Sequence, residues 1–105
     1  MGKEIDKIII DSTSQAEIDK RGSETMGDID EAIRHVLEEA PSDSGAELVV
    51  RRTKGGYKGL LTVYSRQGQF IGGSVGEKLT DVVKKIFAEV HDQIGDWKKH
   101  RLVQT

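Results

Sequence analysis

Two groups of residues in this sequence have types and spacings that could support catalysis or ligand binding. The first is the glycine-rich stretch 72–80, Gly-Gly-Ser-Val-Gly-Glu-Lys-Leu-Thr. A phosphate-binding loop needs glycine, lysine and serine or threonine in direct succession, so that amides, ammonium and hydroxyl converge on the phosphates. Glu77 and Leu79 interrupt that succession on either side of Lys78. The stretch is better explained as a turn into a helix, with Ser74 and Glu77 forming a capping box at the helix N terminus.

The second group is Asp92, Asp96 and His100, which recur at four-residue steps. A continuous helix would align them on one face, where they could act as metal ligands. We expect Gly95 to interrupt that helix, and no fourth ligand lies nearby, so a solvated charged face is the preferred interpretation. No catalytic triad or carboxylate pair stands out. The sequence therefore predicts a non-enzymatic protein without a cofactor or metal site. An enzyme ranks third among the functional hypotheses.

Basic side chains are a further candidate, because the charge is distributed unevenly. Residues 1–50 hold 5 basic and 13 acidic side chains, and residues 51–105 hold 11 basic and 5 acidic ones. Clustered lysine and arginine with interleaved tyrosines can neutralise phosphates with little sequence selectivity. The alternative is an ordinary solvated surface. The candidate phosphate-binding residues are Arg51, Arg52, Lys54, Lys58, Arg66, Lys84, Lys85, Lys98, Lys99 and Arg101.

Length and composition exclude several protein classes. The 105 residues suffice for a single domain, 1–105. The sequence holds no cysteine, which excludes disulfide scaffolds and cysteine-type zinc sites. No apolar run approaches the roughly 18–20 residues of a membrane span, and the first residues lack the apolar region of an export signal. We expect a cytoplasmic protein that does not bind membranes.

The N-terminal half predicts one strand and one helix. Residues 5–10 are rich in β-branched side chains and are typical of a strand. Residues 11–27 are polar and predict a long connection that could be a mobile loop. Apolar residues then recur at three- and four-residue steps as far as Ala40, which predicts a helix capped near Asp28 and ended by Pro41.

The C-terminal half predicts three strands and a long helix. Strands are expected at 46–53 and 57–66, joined by a Lys-Gly-Gly-Tyr hairpin turn, and a short strand is expected from Phe70. Apolar residues at helical spacing from Leu79 to Trp97 predict the last helix. The predicted fold class is α+β with the order β-α-β-β-β-α, a four-stranded, mostly antiparallel sheet with both helices on one face.

Three stretches of the C-terminal half carry a family resemblance. They are Lys54-Gly-Gly-Tyr-Lys-Gly-Leu-Leu-Thr-Val-Tyr, Gly68-Gln-Phe-Ile and Gly76-Glu-Lys-Leu-Thr-Asp-Val-Val-Lys-Lys-Ile-Phe. Over about residues 46–101 the chain resembles the ribosome hibernation promoting factor family, also called the sigma-54 modulation family, which includes the ribosome-associated inhibitor A proteins. The resemblance implies a fold similar to double-stranded-RNA-binding domains, in a single-domain short form.

The resemblance also implies a function. The chain would bind the rRNA of the small ribosomal subunit in the channel used by mRNA and tRNA, and would inhibit translation by occupancy as a hibernation or stress factor. The ten basic residues named above would then contact rRNA phosphates, which position the protein and do not read sequence. The alternative is a protein-interaction module or a homo-oligomer of the same fold, in which the acidic first helix and the basic hairpin contact oppositely charged partners or each other's copies. The free sheet face with Leu60 and Tyr64 is a further candidate partner surface.

Overall fold

The structure, a computed structural model, describes residues 4–20 and 23–103. The described residues form four strands and three helices. In order they are β1 (Glu4–Ile10), α1 (Ser12–Lys20), α2 (Ser23–Glu39), β2 (Gly45–Thr53), β3 (Gly56–Ser65), β4 (Gly68–Gly76) and α3 (Leu79–Val103).

The strands form one sheet in the order β1-β2-β3-β4. β1 runs parallel to β2, because the helices between them return the chain to the end of the sheet at which it started. β2 and β3 pair antiparallel from Gly45 opposite Tyr64 to Thr53 opposite Gly56, and β3 pairs antiparallel with β4. The predicted α+β class and the mostly antiparallel sheet of four strands are confirmed.

The core lies between one face of the sheet and helices α2 and α3. Alternate residues of each strand point into it, as the two-residue period of a strand requires. Both helices contribute the apolar side chains that recur at three- and four-residue steps, so the prediction of two amphipathic helices on one sheet face is confirmed. The buried cluster comprises Ile29, Ile33, Val36, Leu37, Ala40, Ala46, Leu48, Val50, Tyr57, Leu61, Val63, Phe70, Leu79, Val82, Ile86, Val90 and Ile94.

The segment predicted as a long connection, residues 11–27, is largely helical. Residues 12–20 form α1, and α2 begins at Ser23, five residues before the expected cap at Asp28. Asp11 starts α1 by accepting a hydrogen bond from the Ser14 amide on Oδ1 at 2.9 Å. Because α1 is mostly polar, hydrophobic periodicity gave no signal for it.

Two predictions about the last helix were wrong. Ser74 does not cap it, because Ser74 lies inside β4 opposite Gly59 and α3 begins at Leu79. The glycine-rich stretch is therefore mainly strand and does not form a phosphate loop. Gly95 does not interrupt α3 either, since the helix continues to Val103 and the space beside Gly95 is open.

Gly72 allows α3 to lie directly on β4. A Cβ atom at Gly72 would stand 2.3 Å from the carbonyl oxygen of Ile86 and 3.0 Å from Cγ2 of Val90. The carbonyl belongs to helix backbone, which cannot move aside without shifting α3. Gly73 faces the other side of the sheet, where its nearest neighbour would be Cδ1 of Leu60 at 3.5 Å, an ordinary contact.

We predict that Gly72→Ala destabilises the domain by roughly 3 kcal/mol, as expected for overpacking against a rigid neighbour. Gly73→Ala is the matched control, and its free energy of unfolding should stay within about 1 kcal/mol of the parent value because the added methyl has room. Urea unfolding followed by circular dichroism measures both. Equal effects of the two substitutions would show that the α3–β4 contact does not limit stability.

Candidate nucleic-acid interface

Arg51 and Lys58 form a pair of like charges at the hairpin end of the sheet. They lie directly opposite each other in the β2–β3 register. Their neighbours Val50 and Tyr57 are buried under the helices, so Arg51 and Lys58 point to the uncovered face and both are exposed. Like charges directly opposite on a sheet repel each other. An anion between them would relieve that repulsion, which makes the pair a candidate phosphate contact.

Arg52 points to the other face of the same hairpin. Its guanidinium carbon lies 4.8 Å from the centroid of the Tyr57 ring, a cation–π contact that holds the side chain at the end of the core. Lys54 lies in the turn between the two strands and is exposed. The hairpin end therefore presents cations on both faces and at its tip.

Asp11 fixes this end of the sheet from the side of β1. One carboxylate oxygen accepts from the Ser14 amide, and the other accepts from the Arg52 amide at 2.6 Å. The amide of Asp11 itself donates to the Val50 carbonyl at 3.1 Å. The hydrogen bonds from Ser14 and from the Arg52 backbone lower the pKa of Asp11 below its ordinary value of 3.8. The carboxylate thus ties α1, β1 and the arginine-bearing end of β2 together.

The two lysines of the first half of α3 occupy different flanks. Lys84 lines a groove between α2 and α3, beside Ile29, Val83 and Phe87. Lys85 is one residue further along, about 100° around the helix, and is also exposed. Lys84 therefore borders the groove, and Lys85 lies on the neighbouring flank of α3.

The remaining predicted residues lie at the opposite end of the sheet. Arg66 follows β3, roughly 30 Å from the hairpin turn at 3.3 Å per strand residue, and its amide donates to Oδ2 of Asp43 at 2.8 Å. Lys98 forms a half-buried ion pair with Glu39 at the end of α2. Lys99 is exposed, whereas the side chain of Arg101 falls outside the described part of the chain. The ten predicted residues thus form two separated groups and the α3 lysines, and not one continuous edge.

Lys78 is a basic residue of the hairpin end that the sequence prediction omitted. It is exposed and lies between β4 and α3, two residues after Gly76, which pairs with Tyr57. In the sequence, Lys78 stands in the glycine-rich stretch, where a phosphate loop was the only role considered for it. The register brings Gly76 to the hairpin end of the sheet, and the backbone of Glu77, just before Lys78, lies close to Gly56 of the hairpin turn.

The other candidate chemistry finds little support in the described residues. No three histidine, aspartate or glutamate side chains of residues 4–20 and 23–103 come close enough to share a metal ion. Nδ1 of His100 instead lies 2.8 Å from the main-chain oxygen of Asp96. Across the same residues, no helix combines the length and apolar character that a membrane span requires.

Comparison with known proteins identifies the fold. No protein-family model matches the chain, and no curated protein is similar to it in sequence. The crystal structure of the N-terminal domain of Protein Y from Thermus thermophilus superposes with a TM-score of 0.68 at 13% sequence identity. The match covers 92% of this chain and 99% of that domain. The fold is therefore that of the Protein Y domain, as the sequence resemblance implied.

We predict that Asp11→Asn lowers stability at neutral pH, because asparagine has one acceptor oxygen and cannot accept the hydrogen bonds of both the Ser14 and the Arg52 amides. The folded-state pKa of Asp11 is depressed, so its stabilisation is complete above the ordinary value of 3.8 and is lost as pH falls further through the folded value. Urea midpoints of parent and variant should therefore converge in acid. A difference that persists unchanged at low pH would contradict this role.

Proposed function

We propose that this chain binds the small ribosomal subunit through rRNA, occupies the channel used by mRNA and tRNA, and inhibits translation by occupancy without chemistry. The observation that carries the proposal is the fold shared with the Protein Y domain over 92% of the chain. It is supported by the family resemblance of residues 46–101, which is independent of the superposition.

The hairpin end supports phosphate contact as the mode of binding. Arg51 and Lys58 form a like-charged pair on the uncovered face, with Lys54 and Lys78 exposed nearby. Contacts of this kind position a protein on nucleic acid without reading its sequence. Among the described residues, Tyr64 is the one aromatic side chain on that face, so the face offers little for base stacking. The backbone of structured rRNA is the target that these features fit best.

A second candidate function is a protein-interaction module. The observation that favours it is the exposure of large aliphatic side chains on the uncovered sheet face. Leu60 is 42% exposed, Ile71 44% and Val75 67%. Aliphatic side chains of this size gain nothing from facing phosphates, and their grouping is typical of a protein-binding surface.

We predict that the double variant Arg51→Ala, Lys58→Ala weakens co-sedimentation with small ribosomal subunits. Each lost phosphate contact should reduce the slope of log affinity against log salt by about 1, so the double variant should lose about 2. The measurement is pelleting through a sucrose cushion over a series of salt concentrations. If the parent protein fails to pellet with the small subunits even at low salt, ribosome binding is refuted.

Lys7→Ala is the matched control for that experiment. Lys7 is also an exposed lysine on the same sheet, but it lies opposite Glu47, so its charge is already balanced. The salt slope of this variant should equal that of the parent. An equal loss in Lys7→Ala would mean that net charge, and not the hairpin end, determines the affinity.

Occupancy of the channel predicts competition with the natural occupants. Small subunits loaded beforehand with mRNA and initiator tRNA should bind this protein at least about tenfold more weakly than empty subunits, because two ligands cannot fill one site. The measurement is the same pelleting assay. Equal binding to loaded and empty subunits would place the protein elsewhere on the ribosome.

A further inference from the structure

β4 is an outer strand, and no strand of residues 4–20 and 23–103 pairs with its second edge. Its other edge pairs with β3. Both the amide and the carbonyl of Ile71 point to the open edge, because both are bonded to a side chain of α3. By the alternation of an antiparallel ladder, the amides and carbonyls of Gly73 and Val75 point the same way. An edge of this kind is a template for pairing with another chain.

The side chain of Gln93 occupies the middle of that edge. The amide of Ile71 donates to Oε1 of Gln93 at 2.7 Å, and Nε2 of Gln93 donates to the carbonyl of Ile71 at 2.6 Å. A carboxamide offers the same donor and acceptor as a peptide unit. Gln93 therefore occupies the place of a neighbouring strand's peptide unit at Ile71.

The side chains next to the edge can pair with the same side chains of a second copy. Ile71 and Val75 are exposed on the uncovered face, two residues on either side of Gly73. If two β4 strands paired antiparallel about Gly73, Val75 of each copy would lie directly opposite Ile71 of the other. Such aliphatic cross-strand pairs stabilise a sheet. Glycine at the centre leaves no side chain to obstruct the approach.

The charges of α3 fit the same arrangement. Lys85, Glu89 and Gln93 are four residues apart and so lie on one flank of α3, the flank that reaches the β4 edge. Oε1 of Glu89 is buried and has no hydrogen-bond partner. Because α3 crosses β4 with Ile86 against Gly72, a twofold axis near Gly73 would bring Lys85 of one copy towards Glu89 of the other.

We propose that the β4 edge is a self-association surface, whose partner is a second copy of this chain. The two β4 strands pair antiparallel about Gly73 and continue the sheet through both copies. Gln93 is the intramolecular competitor: it must release Ile71 before that residue can pair with Val75 of the second copy. The surface adjoins the hairpin end, because Val75 lies opposite Lys58. Self-association is measured without ribosomes, so its outcome is read separately from ribosome binding.

Removing the competitor is the first test. In sedimentation velocity over a concentration series without ribosomes, Gln93→Ala should lower the dimer dissociation constant at least about tenfold, the effect of one net hydrogen-bond contribution. Gln67→Ala is the matched control, since Gln67 is exposed in the β3–β4 turn, and it should leave the constant unchanged. A Gln93→Ala protein that folds, as shown by circular dichroism, yet stays monomeric would overturn the proposal.

A charge swap in the Gln93→Ala protein tests the geometry. Lys85→Glu alone and Glu89→Lys alone should each weaken the dimer, because each places like charges together across the axis. The double swap should restore the dimer, since it only exchanges the two partners. Val75→Lys should return the protein to a monomer. Pairing through β4 would be refuted if the Val75→Lys protein still dimerised, or if the double swap failed to restore the dimer.

Discussion

The close approach of α3 to β4 at Gly72 is the constraint on which the other features depend. With a carbonyl 2.3 Å from the position of a Cβ, the helix can adopt this path only because the side chain is missing. The path places α3 over β3 and β4 and leaves α2 to cover the parallel pair β1 and β2. It also sets the rotation of α3, which directs Lys84 into the groove beside α2 and Gln93 to the edge of β4.

The same constraint explains which parts of the fold could be predicted from the sequence. Helices α2 and α3 and the two hairpins were predictable because they bury apolar residues at a regular period. α1 was not, since it is held by the Asp11 cap more than by apolar burial. Ser74 was misassigned because a capping pattern is a local signal, whereas the nearby Gly72 serves a contact with Ile86 that is remote in sequence.

The candidate site was predicted in its residue types but not in its arrangement. Alternation along β2 and β3 sends Arg51 and Lys58 to one face and Arg52 to the other. Acidic residues of the first half also reach the basic second half: Glu39 binds Lys98, and Asp11 holds the backbone of Arg52. These pairings depend on the tertiary fold. They offset positive charge at the far end of α3 and bring the Asp11 carboxylate close enough to Arg51 for an electrostatic interaction.

The parallel pairing of β1 with β2 has a consequence for how the chain acquires its fold. β2, β3, β4 and α3 follow one another closely in sequence, so their contacts close short loops. β1 emerges first during synthesis but has no partner until residues 45–53 have followed, two helices later. We expect the segment from β2 to α3 to fold first and β1 to pair with β2 afterwards. The hydrogen bonds of the Asp11 carboxylate then form last. Of the four strands, β1 is synthesised before the others but joins the sheet last.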